Sequence, residues 1–273
     1  MFLGGEAAVM LTNSNEMPIG LKEAVDAITD MGEKCRQYYK HCGVTPPPIL
    51  IDLAKKNGQT TLTRFYSRVL KSTYGLPSGG VDDYLEFVAN GNMRTLKEIK
   101  RKLVQAAVYT NTYRGVVSFE ITDLADYINE SQIDYFLQDV LLSAHDASVL
   151  FFIAPDKQHK MTEFIGKLRE TMGDLRVIHV SPYTDSEFAE IVMNNALKLG
   201  ITLDLGEGDT FKESVVDVVQ RLKVQSAKDT ELVAKKLSEY ADYSGYRPVF
   251  DVKHMNNACR ELSCESEVSR YGK

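Results

Sequence analysis

The heptapeptide Ser148–Ala154, SVLFFIA, is apolar at nearly every position. A strand with one wet face alternates apolar and polar residues. One that is apolar throughout has both faces covered, as the central strands of parallel sheets do. Four further runs read as strands: Ile49–Ile51 (ILI), Tyr84–Val88, Gly115–Ile121 (GVVSFEI) and Arg176–Val180 (RVIHV). Helical patterns separate them. Leu21–Tyr39 repeats Leu21, Ala24, Ile28, Met31 and Cys35 on one face, and Thr60–Ser72 turns Leu62, Phe65 and Val69 inward. Leu96–Tyr109 predicts a basic amphipathic helix with Leu96, Ile99, Leu103 and Ala107 on its apolar side. Alternating strands and helices predict an α/β fold with a parallel sheet and crossover helices. After Pro182 the strand signal fades, and Asp185–Leu199, Asp209–Leu222, Thr230–Tyr240 and Phe250–Leu262 all read helical. The expected organisation is an N-terminal extension over 1–16, an α/β domain over 17–181, a small helical domain over 182–262 and a polar tail over 263–273.

Composition narrows the function classes. The chain has 273 residues, 44% hydrophobic and 26% charged, in the range of a globular protein. A net charge of −6 argues against a general affinity for nucleic acid phosphates. No apolar run approaches the roughly 18 residues of a membrane span, and no export signal is visible, so a cytoplasmic protein is expected. Cys35, Cys42, Cys259 and Cys264 show no CxxC spacing and read as reduced thiols. His179, inside RVIHV, reads as a packed strand histidine.

Ile49–Ser67, ILIDLAKKNGQTTLTRFYS, carries the most chemical information. An apolar strand, a short loop with a single glycine and a helix follow one another, the layout of the phosphate-binding loop G-x-x-x-x-G-K-[ST]. In such a loop backbone N–H groups and the lysine hold the β/γ-phosphates, and the hydroxyl helps hold Mg²⁺. Leu53 falls on the first glycine, Gly58 on the second, Gln59 on the lysine, and Thr60, followed by Thr61, on the hydroxyl position. Only Gly58 and Thr60 keep the pattern. A hydrogen bond to a charged group is worth roughly 1.5–3 kcal/mol, so losing the lysine weakens binding about 10- to 100-fold and leaves ATP or ADP in reach. Lys55 and Lys56, in the same loop, offer replacement charge. Leu53 resists the tight turn that glycine allows.

The order of parts resembles an AAA+ ATPase. Met17–Ala24 (MPIGLKEA) resembles the turn that lines the adenine pocket in that family, and the helix after it runs to a Gly-Val-x-Pro-Pro segment, Gly43–Pro47, just before the first strand. Pro182–Leu203 resembles the start of the helical lid in bacterial AAA proteins of the red-type Rubisco activase and sporulation-associated group. Ser244–Arg247 (SGYR) matches the lid motif in which an arginine reaches the nucleotide phosphates. The similarity covers residues 17–262. It implies a P-loop NTPase-like three-layer domain with a central parallel sheet, a helical lid, nucleotide in the cleft between them, and assembly with itself or with an active relative.

The resemblance also assigns roles. Ile19 and Gly20 fall in the adenine pocket, Gly58, Gln59, Thr60 and Thr61 at the phosphates, Arg247 on the lid side, and Thr60 and Glu120 at Mg²⁺. The acid that polarises the attacking water falls on Ile121, with Asp123 the nearest substitute. Asp156 falls near the polar residue at the end of the neighbouring strand, where an anion repels a γ-phosphate. Arg169 and Arg176 are nearest to the arginine donated to a neighbouring subunit, and neither stands in a motif. Val88–Met93 lacks the aromatic of a polypeptide-threading loop. A positioned base contributes about 10²–10⁴-fold and an arginine finger about 10³–10⁵-fold. With both degraded, the expectation is the fold without the reaction: a non-hydrolysing interaction or scaffolding module with residual ATP or ADP binding. The alternatives are an active ATPase using Lys55 or Lys56, Glu120 and Asp123, and a nucleic-acid adaptor using the basic face Lys97, Lys100, Arg101 and Lys102.

Overall fold

The computed structural model describes residues 17–37, 46–74, 84–107, 115–203, 210–245, 248–251, 254, 257 and 258. The N-terminal extension 1–16, Gly43, Cys42, Arg247, Cys259, Cys264 and the tail 263–273 lie outside them, as does most of the 250–262 segment.

Five parallel strands form one sheet: β1 Ile49–Asp52, β2 Tyr84–Val88, β3 Val116–Glu120, β4 Ser148–Ile153 and β5 Arg176–His179, in the order β2-β3-β4-β1-β5. All six residues of β4 are buried, as its unbroken apolar run requires. The sheet is covered on both faces by helices: α1 Lys22–Gln37, which precedes β1, and those that join its strands, α2 Gln59–Tyr74, α3 Met93–Ala106, the single turn α4 Ser131–Tyr135 and α5 Gln158–Met172. On one face Phe87, Phe119 and Phe151 stand in register on adjacent strands, with ring centroids 5.8 Å apart at each step, and Phe136 meets Phe119 edge-on at 5.4 Å. Leu96, Ile99 and Leu103 of α3 and Phe164 and Leu168 of α5 complete that core. On the other side α2 packs on β2 and β3, and α1 on β5.

Two helices start three residues earlier than expected, and capping explains both. The helix expected from Leu96 begins at Met93, because the Asn92 side chain accepts the Arg94 N–H at 2.9 Å. The helix expected from Thr230 begins at Ala227 (α8, Ala227–Ser238), because Ser226 and Asp229 form a reciprocal capping box.

The described chain forms two compact units, one of them Lys56–Gly58 together with everything from Pro182, the other the remainder up to Ser181. In the C-terminal unit, α6 (Asp185–Lys198), α7 (Thr210–Arg221) and α8 bury Phe188, Val192, Val215, Val219, Val233 and Leu237 among themselves. A short parallel pair, β6 Thr202–Leu203 and β7 Val249–Phe250, corrects the helical expectation at Phe250. Strands of two residues are too short to show a period. Among the described residues no helix is long and apolar enough to cross a membrane.

Gly32 lets α1 approach α2 closely: a Cβ there would lie 2.3 Å from Val69 Cγ1, on a side chain that is 2% exposed. Alanine is about 1 kcal/mol better than glycine in a helix, but overpacking against a χ1-stiff valine costs roughly 1–3 kcal/mol. Gly32→Ala is therefore expected to lower the urea midpoint, and a raised midpoint would show that the two helices separate freely.

Candidate functional site

In open α/β sheets ligands bind beyond the carboxyl ends of the strands. Here the loops after β1, β3 and β4 meet at that end, because the register pairs Asp52 with Ile153 and Glu120 with Phe152. Both flanking strands extend one residue further onto β4. Leu53 N–H donates to the Ile153 carbonyl and Ile121 N–H to the Phe152 carbonyl, each at 2.9 Å. Leu53, at the first glycine position, is thus a buried strand-end residue, and the turn comes after it.

The turn is made at Lys56, whose φ of 66° lies in the left-handed region, and at Gly58, φ 101°. A non-glycine residue there is strained by about 1–2 kcal/mol. Within the C-terminal unit the tip of the loop is hydrogen-bonded to the start of α8. Asn57 Oδ1 accepts the Ala227 N–H at 2.9 Å, and the Lys56 carbonyl accepts the Lys228 N–H at 3.2 Å. Tyr183 Oη donates to the Asn57 carbonyl at 3.3 Å, and burial pushes that phenol far above its ordinary range.

Gln59 opens α2, and its side-chain amide donates to the Ala54 carbonyl at 3.1 Å, so it turns in on its own loop. Thr60 and Thr61 follow, exposed on the first turn of α2. Lys55 reaches past the end of β4 to two acids at the end of β3, Glu120 on its last residue and Asp123 in the loop that follows. Its Nζ lies 2.8 Å from Asp123 Oδ1 and 3.7 Å from Glu120 Oε2. Partial burial works against the Lys55 ammonium, yet the Asp123 hydrogen bond and the two carboxylate charges together raise its pKa. The other Glu120 oxygen, Oε1, accepts the Thr122 N–H at 2.9 Å. Thr122 itself is buried, and its Oγ1 accepts the Ala154 N–H at 2.9 Å, joining the loops after β3 and β4.

Of the sequence candidates, Lys55, Glu120 and Asp123 are brought together. Ile19 and Gly20 form the half-buried turn before α1, with Gly20 at φ 62°. Ile121 is fully buried and supplies no polar group, and Asp156 is exposed in a short turn after β4. Arg169 is exposed, and Arg176 sits at the opposite, amino end of the sheet, paired with Asp30. His179 corrects the packed-strand expectation: its side chain is 69% exposed at the last residue of edge strand β5, with Nδ1 3.0 Å from the buried carboxylate of Asp52. Thr122 and Asn57 carried no sequence signal, since each acts through partners far away in the chain.

Thr122→Val keeps the shape and removes the acceptor. Leaving the Ala154 N–H unsatisfied is expected to cost about 1–3 kcal/mol in urea denaturation. Thr122→Ser, which keeps the hydroxyl, should lose clearly less; equal losses would mean the bond contributes nothing.

Solved structures share this fold. An arginine-to-alanine variant of Thermotoga maritima RuvB matches with a TM-score of 0.58 at 11% identity, covering 90% of this chain and 70% of that one. A lysine-to-arginine variant of the same protein matches at 0.53 and 12% identity, over 90% and 72%. A third structure, described as the Thermotoga maritima RuvB Holliday junction branch migration motor, matches at 0.51 and 11% identity, over 83% and 66%. Identity this low speaks to fold alone, and the fold is P-loop NTPase-like. No family model and no curated protein matches the sequence.

Proposed function

We propose that this chain, P-loop NTPase-like in fold, is a degenerate AAA+-type protein that binds ADP or ATP at the loop after β1 without hydrolysing it and works as an interaction or scaffolding module. The observation that carries this reading is Gln59. At the position of the phosphate-holding lysine stands a neutral amide, one of whose two N–H donors goes to the Ala54 carbonyl. The second support is Ile121, an apolar buried residue where a water-polarising acid is needed. Retention of Gly58 and of the Thr60 hydroxyl at the start of α2 supports residual nucleotide binding, since a helix N-terminus favours phosphate. Self-association fits the same reading.

The active-ATPase alternative assigns Lys55 to phosphate, Glu120 to metal and Asp123 to water. The pairing of Lys55 with both acids weighs against it, because each group's charge is already met by another. A nucleic-acid role is favoured by a different observation: Arg94, Lys97 and Arg101 line one open groove along α3, and one fold neighbour is described as a Holliday junction motor. Arg101 is bound to Glu98 and Lys100 to Asp139, which thins that basic face. Binding to a four-way DNA junction that weakens steeply with salt and falls in Lys97→Glu would shift the balance toward it.

Two measurements test the main reading. Phosphate release from ATP is expected to stay at the blank level, and steady turnover that vanishes in Glu120→Gln would overturn it. In calorimetry ADP is expected to bind, and Gln59→Lys to tighten binding about 10- to 100-fold by restoring a charged hydrogen bond. Absence of ADP binding at millimolar concentration in both proteins would remove the nucleotide part.

A further inference from the structure

The acidic pair at the end of β3, Glu120 and Asp123, already holds a cation. Lys55 Nζ lies 2.8 Å from Asp123 Oδ1 and 3.7 Å from Glu120 Oε2. From this we infer that Lys55 is a tethered counter-ion to the two carboxylates a divalent metal would need, and that the loop after β1 takes its nucleotide without a metal. The inference rests on the nucleotide-binding reading only for its second half.

Three features support it. The donor set for a metal is thin: among the described residues no group of three or more His, Cys, Asp or Glu side chains is placed to hold one. Mg²⁺ demands near-octahedral oxygen geometry and is usually held by one or two carboxylates with phosphate and water. Here Glu120 Oε1 accepts the Thr122 N–H, and Oε2 is the oxygen that faces Lys55. A metal at this pair must displace the ammonium from both acids, so the residues as arranged do not fit Mg²⁺.

The tether is the second feature. Lys55 lies three residues past the end of β1, so its ammonium is confined near the acids and pays no translational entropy to stay there. A free cation does. The third is shelter. The Glu120 side chain is 13% exposed, much less than Asp123 at 51%. A carboxylate withdrawn from water keeps a stronger demand for a neighbouring positive charge than an exposed one does. Removing the ammonium therefore leaves a site that another cation can fill, whereas an exposed pair would be satisfied by solvent.

The test uses Mn²⁺ alone, followed by loss of the free-ion electron paramagnetic resonance signal. It is applied to the full chain, to Lys55→Met and to Lys55→Met/Glu120→Gln, each checked for native circular dichroism. With the competing ammonium gone, Lys55→Met is expected to bind Mn²⁺ at least about 10-fold more tightly than the native chain. The Glu120→Gln change should abolish that gain. Equal Mn²⁺ binding by the native chain and Lys55→Met overturns the inference, as does absence of binding in both. No nucleotide is present, so this outcome is independent of whether ADP binds or ATP turns over. For the second half, ADP affinity of the native chain should agree in EDTA and in excess Mg²⁺, and a gain of about 10-fold from Mg²⁺ would overturn it.

Discussion

The burial of β4 on both faces is the constraint on which the site depends. All six of its residues are inaccessible, so it must have strands on both sides and helices above and below. Its neighbours are β3 and β1, drawn from either side of it in the sheet order although both precede it in the chain. Parallel pairing then leaves no freedom over where their loops emerge. The carboxyl ends of β1 and β3 stand on either side of Ile153, and each continues one hydrogen bond further onto β4. The row Phe87, Phe119 and Phe151 holds the same register through side chains, with contacts that a slip of one residue would turn to the other face.

Polar groups at this end of the sheet are largely satisfied from within. Glu120 has a backbone donor on one oxygen and Lys55 beside the other, Thr122 ties the β3 loop to β4, and Gln59 folds onto Ala54. The ion pairs of Lys55 are half-exposed, and pairs of that kind contribute about 0–1 kcal/mol to stability. Their consequence is therefore chemical: they decide which charges remain available at the end of the sheet.

Much of this architecture was legible in the chain. The uniform apolar run at Ser148–Ile153, the strand at Tyr84–Val88 and the periodicity of the helices predicted a parallel sheet with crossovers, and the structure has one. Helix starts were harder. Asn92 and Ser226 each stand four residues before the starts read from periodicity, Leu96 and Thr230, so a periodicity argument places α3 and α8 too late. β6 and β7 were not legible, since each has two residues and its partner lies more than forty positions away. The candidate site was half visible. The substitutions at Leu53, Gln59 and Ile121 could be read against a motif, whereas the meaning of Lys55 could not, because a lysine in a loop has no preferred partner in sequence.

By itself the sequence determined the strand and helix alternation and the neutral Gln59 after the loop's single glycine, since both follow from residue type and local spacing. Only the tertiary structure decided that the loop's spare cation meets Glu120 and Asp123, that Thr122 bridges to Ala154, and that His179 faces solvent beside Asp52. The physical reason is that backbone propensity acts over a few residues, whereas electrostatic pairing depends on which strand ends the sheet sets side by side.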